Sequence, residues 1–129
     1  MHLLLDTHTF LWFITDDAKL SKVARDLVIT SESVLLSAGS LWEMAIKKGL
    51  KKLEISSPLS FDAFITEQLK ENAIDVLPIR LEHLEAYIHL PFHHRDPFDR
   101  LFIAQATVES LTILSKDSDF TKYDVDVRW

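Results

Sequence analysis

The chain contains no cysteine. This excludes a disulfide framework and any thiolate metal site, and it suits a reducing cytoplasm, the location we expect. Glycine and proline are nearly as scarce, at 2 and 4 of 129 residues, so long irregular segments are not expected. A Walker loop and a dinucleotide fingerprint both need clustered glycines to bring backbone close to phosphate, and neither is present; nor is a nucleophile elbow. No apolar run approaches the roughly 20 residues that a membrane span requires. Leu3-Leu4-Leu5 meets Asp6 at once, with no basic segment or cleavage site around it, so no leader is expected. Basic residues are in deficit, 14 against 20 acidic, for a net charge of −6. That argues against a passive, nonspecific nucleic-acid binder. It leaves a nuclease open, because divalent cations can offset a clustered acidic site.

What remains is 47 % hydrophobic, too apolar for disorder and long enough to build a core without staples. We expect one domain over residues 1–129. Strands are expected at His2 to Leu5, Val34 to Leu36, Val76 to Ile79, Leu111 to Leu114 and, briefly, Asp126 to Trp129. Between them, helical periodicity gives a turn or two at Thr9 to Ile14. A helix capped by Ser21 runs to about Ile29, with Val23, Leu27 and Leu20 inward. A third ends near Gly49, its start marked by the capping-box spacing of Ser40 and Glu43, with Leu41, Met44 and Ala45 on its inner face. A fourth opens at Pro58 or Ser60 and runs to Asn72. Leu81 to His89 follows with Leu84 and Ile88 inward, then Phe98 to Glu109. Short apolar strands alternating with longer helices imply an α/β fold, a mostly parallel sheet with helices on both faces. Pro78 suggests that its strand lies at an edge.

In such folds the ligand crevice lies beyond the carboxyl ends of the strands. Asp6 follows the first strand, Glu43 rides the helix after the second, and Asp117 follows Leu111 to Leu114. Asp99 lies in the first turn of the helix leading into that strand. Each has a local explanation. Asp6 reads as a helix cap, with Thr7 and Thr9 as partners. Glu43 reads as a capping-box acid paired with Lys47 at i+4. In Arg95-Asp96-Pro97-Phe98-Asp99-Arg100, Asp96 fits the cap, Pro97 the first helical position and Asp99 a dipole-favoured acid. Asp117 and Asp119 can each cap the next turn. Yet Glu43 is a single acid among Leu41, Trp42, Met44 and Ile46, and carboxylates are rarely buried without a partner or a metal. Gathered together, such acids repel and their pKa values rise unless a cation joins them. An all-oxygen donor set suits Mg²⁺ or Mn²⁺.

Four segments resemble, in order, the PIN-domain family, and within it the VapC-type toxins of bacterial toxin–antitoxin pairs. Leu3-Leu4-Leu5-Asp6-Thr7-His8 is similar to the strand closing on the family's first site acid. Ser37 to Lys47 resembles the segment with the second, Glu43. His94-Arg95-Asp96-Pro97-Phe98-Asp99-Arg100-Leu101-Phe102-Ile103-Ala104-Gln105-Ala106 matches the third, with Asp99. Leu114-Ser115-Lys116-Asp117-Ser118-Asp119-Phe120 resembles the last, in which Asp117 or Asp119 completes the site and Ser115 supports it. The resemblance implies a three-layer sandwich around a mostly parallel central sheet of about five short strands. It also implies a Mg²⁺- or Mn²⁺-dependent endoribonuclease with Asp6, Glu43, Asp99 and Asp117 as metal-site and catalytic acids, a homodimer, and inhibition by a cognate antitoxin.

A nuclease acting on DNA or flaps is the nearest alternative; the chain is short for the additions that grasp DNA. A haloacid dehalogenase-type phosphatase would want an acid where His8 stands. A non-catalytic nuclease-fold module or a receiver is the alternative outside enzymes. Lys47, Lys48, Lys51, Lys52, Arg95 and Arg100 are candidates for phosphate contacts, the lysines equally for a solvated face, and His93 and His94 for a surface loop or for substrate contact. Leu11, Trp12, Phe13, Trp42, Phe61 and Phe64 exceed what one small core requires, which points to a dimer.

Overall fold

The structure, a computed structural model, describes residues 1–129. Five strands, β1 (His2–Leu5), β2 (Ser33–Ser37), β3 (Ile74–Leu77), β4 (Thr112–Leu114) and β5 (Val127–Arg128), form one sheet in the order β3-β2-β1-β4-β5. Every pairing is parallel, with Leu4 beside Leu35 on one side and Ile113 on the other. β3 is an edge strand, as Pro78 suggested. It begins at Ile74, however, and Pro78 lies just beyond its end.

β1 owes its central place to its leucines. Strand side chains alternate between faces, and Leu3, Leu4 and Leu5 are all fully buried. Leu3 and Leu5 join Leu36, Leu114, Phe10, Val28, Met44 and Ile65 in one core; Leu4 joins Ile113, Phe102, Ile103, Ala106 and Phe120 in the other. The first core is covered by α1 (Thr7–Ile14), α2 (Lys22–Thr30), α3 (Ala38–Gly49) and α4 (Phe61–Glu71). The second is covered by α6 (Pro97–Glu109), against which α5 (Leu81–Ile88) packs. The sheet is thus sandwiched between two helical layers.

The helix starts follow from their caps. Ser21 accepts from Ala24 N at 3.0 Å and Ser60 from Ala63 N at 3.1 Å. Of the two openings considered for α4, the structure takes Ser60. The expected capping box of Ser40 and Glu43 does not form. Ser37, the last residue of β2, accepts from Gly39 N instead, so α3 begins directly off the strand and Glu43 stands in its second turn. Single-sequence periodicity placed Leu20, Leu27, Leu41 and Met44 correctly but misassigned one residue on each of α2 and α3 and the whole inner face of α5. Val23 and Ala45 are exposed, and α2 buries Ala24 and Val28. On α5, Leu84 and Ile88 face outward, and the buried residue is His83. Its Nδ1 accepts from Arg80 N at 3.0 Å and its Nε2 pairs with Glu109 at 2.9 Å. An imidazole with both nitrogens satisfied inside the fold replaces the leucine that hydrophobicity alone would choose.

α3 and α6 meet at their N-terminal ends through Gly39. A Cβ there would lie 2.6 Å from Leu101 Cδ2 and 3.2 Å from Ser37 Oγ. The two glycines therefore behave oppositely. Gly39→Ala is expected to lower the thermal midpoint, with a cost of about 1–3 kcal/mol for overpacking. Gly49→Ala, with nothing within 4 Å of the new carbon, should leave the midpoint unchanged or raise it by up to about 1 kcal/mol through helix propensity. Melting curves of the two variants check this; a Gly39→Ala protein as stable as Gly49→Ala would contradict it.

Candidate active site

The chain passes from β1 to β2 and β3 on one side, then to β4 and β5 on the other, so the strand order reverses between β1 and β4. Open parallel sheets bind ligands beyond the carboxyl ends at such a reversal. There lies a cleft of about 110 Å³ lined by Asp6, Thr7, His8, Glu43, Lys47, Asp96, Asp99 and Asp117, with no hydrophobic residue. The four acids singled out from the sequence therefore face one space, although they come from four segments.

Asp6 is both cap and cleft residue. Its Oδ1 accepts from Thr9 N at 2.9 Å, which starts α1 two residues earlier than expected, and its Oδ2 accepts from the Ser115 hydroxyl just beyond β4. Burial raises its pKa, against the lowering effect of Ser115 and Thr9. Glu43 is buried. Its Oε1 accepts from Thr7 Oγ1, and its Oε2 lies 3.2 Å from Lys47 Nζ. Thr7 Oγ1 also lies 3.0 Å from Ser40 Oγ. A hydroxyl has one proton, so with Thr7 donating to the carboxylate, Ser40 donates to Thr7.

Asp96 caps α6, accepting from Phe98 N at 2.8 Å and Asp99 N at 3.1 Å, with Pro97 at the first helical position. Asp99 projects from that first turn. Burial first, then the charge of Asp96, and further those of Asp6 and Glu43, push its pKa up to about 7, against the opposing pull of His94. Asp117 also caps, accepting from Asp119 N at 2.9 Å. Asp119 pairs with Lys122 at 2.7 Å; it is Asp117 that lines the cleft.

The sequence left His94 between a surface loop and substrate contact, and did not show that it joins two of the acids. His94 is no surface-loop histidine: its Nε2 lies 3.0 Å from Asp99 Oδ2 and 3.0 Å from Asp117 Oδ2. Its Nδ1 accepts from Asp96 N at 3.1 Å, which fixes the proton on Nε2, between the two carboxylates. Burial opposes its ionisation, yet the hydrogen bond to Asp117 and the charges of Asp99, Asp117 and Asp119 together raise its pKa. A second proton would have to go to Nδ1 at the expense of the Asp96 bond. A histidine two residues before a helix-cap Asp was the available signal. His94 is placed by its loop: Tyr123 Oη accepts from His93 N and His94 N, both at 3.0 Å, and donates to Pro91 O at 2.9 Å. Arg100, offered above as a phosphate contact, is buried instead. It donates to Pro91 O at 2.8 Å and lies 4.2 Å from the Phe92 ring centroid.

The cleft's donors are carboxylate oxygens with lone pairs left over. His94, Asp117 and Asp119 also bring ligand atoms within 4.8 Å of one another, but His94 could join a metal only by giving up the Nε2 proton that faces Asp99 and Asp117. The repulsion that raises Asp99 is what a divalent cation would relieve, so the residues fit a hard ion of the Mg²⁺ or Mn²⁺ kind.

Residues 3–126 match the family model described as PIN domain. The chain belongs to the PIN-domain family. No curated protein matches it. Among solved structures, similarity of fold runs over almost the whole length of several chains, one of them described as a member of the VapBC family of toxin–antitoxin systems. VapBC2 from Rickettsia felis, solved bound to a DNA fragment from its promoter, is 14 % identical at a TM-score of 0.70, covering 99 % of this chain and 98 % of that one. FitAcB from Neisseria gonorrhoeae is 21 % identical at 0.61, covering 97 % and 95 %. VapBC-5 from Mycobacterium tuberculosis is 18 % identical at 0.61, covering 99 % and 97 %. In this PIN domain no helix is long and apolar enough to cross a membrane.

The cleft's electrostatics are testable without any substrate. A carboxylate whose folded pKa lies above its unfolded value binds more protons folded than unfolded between the two, so it costs stability as pH rises through that window. For Asp99 the window runs from about 4 to about 7. In EDTA, Asp99→Asn should gain on wild type across it and melt a few degrees higher at pH 8, a shift on the order of 1 kcal/mol. Paired melting curves from pH 4 to 8 measure this, and a variant that loses ground as pH rises would contradict it.

Proposed function

We propose that this PIN domain is a metal-dependent endoribonuclease, the toxin of a toxin–antitoxin pair. The observation that carries the reading is the convergence of Asp6, Glu43, Asp99 and Asp117 on one wholly polar cleft at the strand-order reversal. In this reading those four acids hold Mg²⁺ or Mn²⁺. When bound, the ion supplies the positive charge that activates water and stabilises the phosphoryl transition state.

The chain's own residues have the other tasks. Thr9 N takes one oxygen of Asp6 and the Ser115 hydroxyl the other, leaving each a further lone pair. Thr7 and Lys47 hold Glu43 from two directions. His94 Nε2–H donates to Asp117 and lies 3.0 Å from Asp99 Oδ2. Lys47, the one lysine lining the cleft, is placed to meet a phosphate oxygen; Lys48, Lys51 and Lys52 lie farther along on exposed chain.

The partners are also proposals. Of the apolar residues first counted as surplus, Leu11, Trp12, Phe13, Phe61 and Phe64 pack against the core, and only Trp42 is largely exposed. The exposed apolar surface lies instead around α5, where Leu81 and Ile88 are 82 % and 69 % exposed. Beside them, Trp42, Ile79, Leu84, Tyr87, Pro97, Phe98 and Leu101 line an apolar groove. A patch of this kind marks an interaction surface, and we assign it to a symmetric homodimer. A cognate antitoxin would cover other exposed apolar side chains, such as Val23 and Ile29 on α2. A cytoplasmic location accords with this role.

Two measurements test the proposal. Wild type should cleave single-stranded RNA in Mg²⁺ or Mn²⁺ and stop in EDTA. Asp6→Asn and Asp99→Asn should each lose two or more orders of magnitude in rate while remaining folded. Cleavage of DNA alone, or full activity in Asp99→Asn, would overturn it. For the dimer, light scattering should give twice the chain mass for wild type and the chain mass for Leu84→Glu/Ile88→Glu. A wild-type monomer at high micromolar concentration would refute it.

A further inference from the structure

One side chain at the cleft mouth makes no hydrogen bond to the acids. His8 lines the cleft, in the first turn of α1, and is exposed. Its nitrogens engage no protein partner. Its ring instead stacks on Trp12, four residues on, with centroids 5.7 Å apart and planes 14° from parallel. Trp12 is in turn fixed: it packs against the core, meets the Trp129 ring edge-on at 5.9 Å, and has Lys19 Nζ 5.9 Å from its centroid. A flat ring thus rests on a fixed one at the lip of a cleft that has no other aromatic residue in its lining.

We infer that His8 is a base-stacking subsite: the free face of its ring receives the base of a nucleotide next to the scissile phosphate of a single-stranded RNA. This rests on the ribonuclease reading above. Aromatic faces that stack bases are the sequence-tolerant element of single-strand recognition, and they work beside cations that track the backbone. Both parts are present. Lys47 lies in the cleft. α1 leads away from it through His8 and Trp12, about 6 Å apart along the helix axis, towards Lys19. Stacking requires a strand whose bases are unpaired, so the ligand is single-stranded rather than duplex RNA. The pair spacing within one helix also offers a purely local role, a helix-stabilising contact, and the test has to separate the two.

The experiment uses the full chain carrying Asp99→Asn, in Mg²⁺, with fluorescein-labelled octauridylate, octaadenylate and an abasic octamer of equal charge, read by anisotropy. Adding His8→Ala should weaken binding to the two base-bearing octamers roughly tenfold, the loss of one stacked base, and leave the abasic octamer unaffected. Adding His8→Phe should restore it. In the otherwise wild-type chain, His8→Ala should raise KM for RNA more than it lowers kcat. Equal losses on all three octamers, unchanged affinities, or a lowered melting temperature with unchanged affinities would each overturn the subsite while leaving a wild type that cleaves RNA as a ribonuclease. A wild type that neither binds nor cleaves single-stranded RNA would overturn both.

Discussion

Carboxylates brought together in a half-buried cleft repel one another, and the fold has to hold them against that repulsion. The cost is visible at Asp99, whose pKa is pushed up to about 7 by burial and by Asp96, Asp6 and Glu43. A flexible chain would relieve the strain by letting the groups part. Here they cannot, because each is mounted on an element that packing fixes. Asp6 continues a strand buried on both faces, Glu43 stands on a helix springing directly from β2, and Asp99 rides the first turn of a capped helix. The hydroxyls of Thr7 and Ser115 and the N–H of His94 take up part of the negative charge. What they leave uncompensated makes the cleft a place for a cation.

The same constraint explains several features that look unrelated. α3 and α6 must approach closely for their acids to share a cleft, and Gly39 is the position that lets them. The His94 loop needs fixing because its imidazole works between two carboxylates. The Tyr123 hydroxyl takes two of its backbone N–H groups, and Arg100 takes the Pro91 carbonyl from below. A buried arginine without a carboxylate partner would otherwise be costly; its hydrogen bond and the Phe92 and Tyr87 rings near its guanidinium offset part of that cost.

Much of this was readable from the residues. Three consecutive leucines closing on Asp6 read as a short buried strand, and the Asp96-Pro97 pair marks a helix start that only its neighbour Asp99 complicates. The acids' shared cleft followed from the rule that parallel sheets open at their carboxyl ends. What was hidden depends on contacts between distant segments. The roles of His94 and Arg100 depend on Tyr123, 29 and 23 residues away in sequence. The inner face of α5 is set by Glu109, which makes a histidine a better core residue than Leu84. The Ser40–Glu43 box was a false reading because Ser37, at the strand end, is placed to cap first. Local patterns are reliable where burial decides them and fail where a long-range polar partner does.

The central position of β1 has a consequence for how the protein comes into being. Leu4 pairs with Ile113, and Asp6 accepts from Ser115, 109 residues later. Contacts of such separation form late and slowly, because the loop must close before they return any free energy. During synthesis the first strand therefore waits beside β2 and β3, with its other edge unpaired, until β4 has left the ribosome. Asp99 has by then only just emerged, and Asp117 and the Tyr123 anchor of the His94 loop come last of all. A partly made chain thus holds no assembled cleft, and the acids meet only once the segment through Asp117 is free of the ribosome.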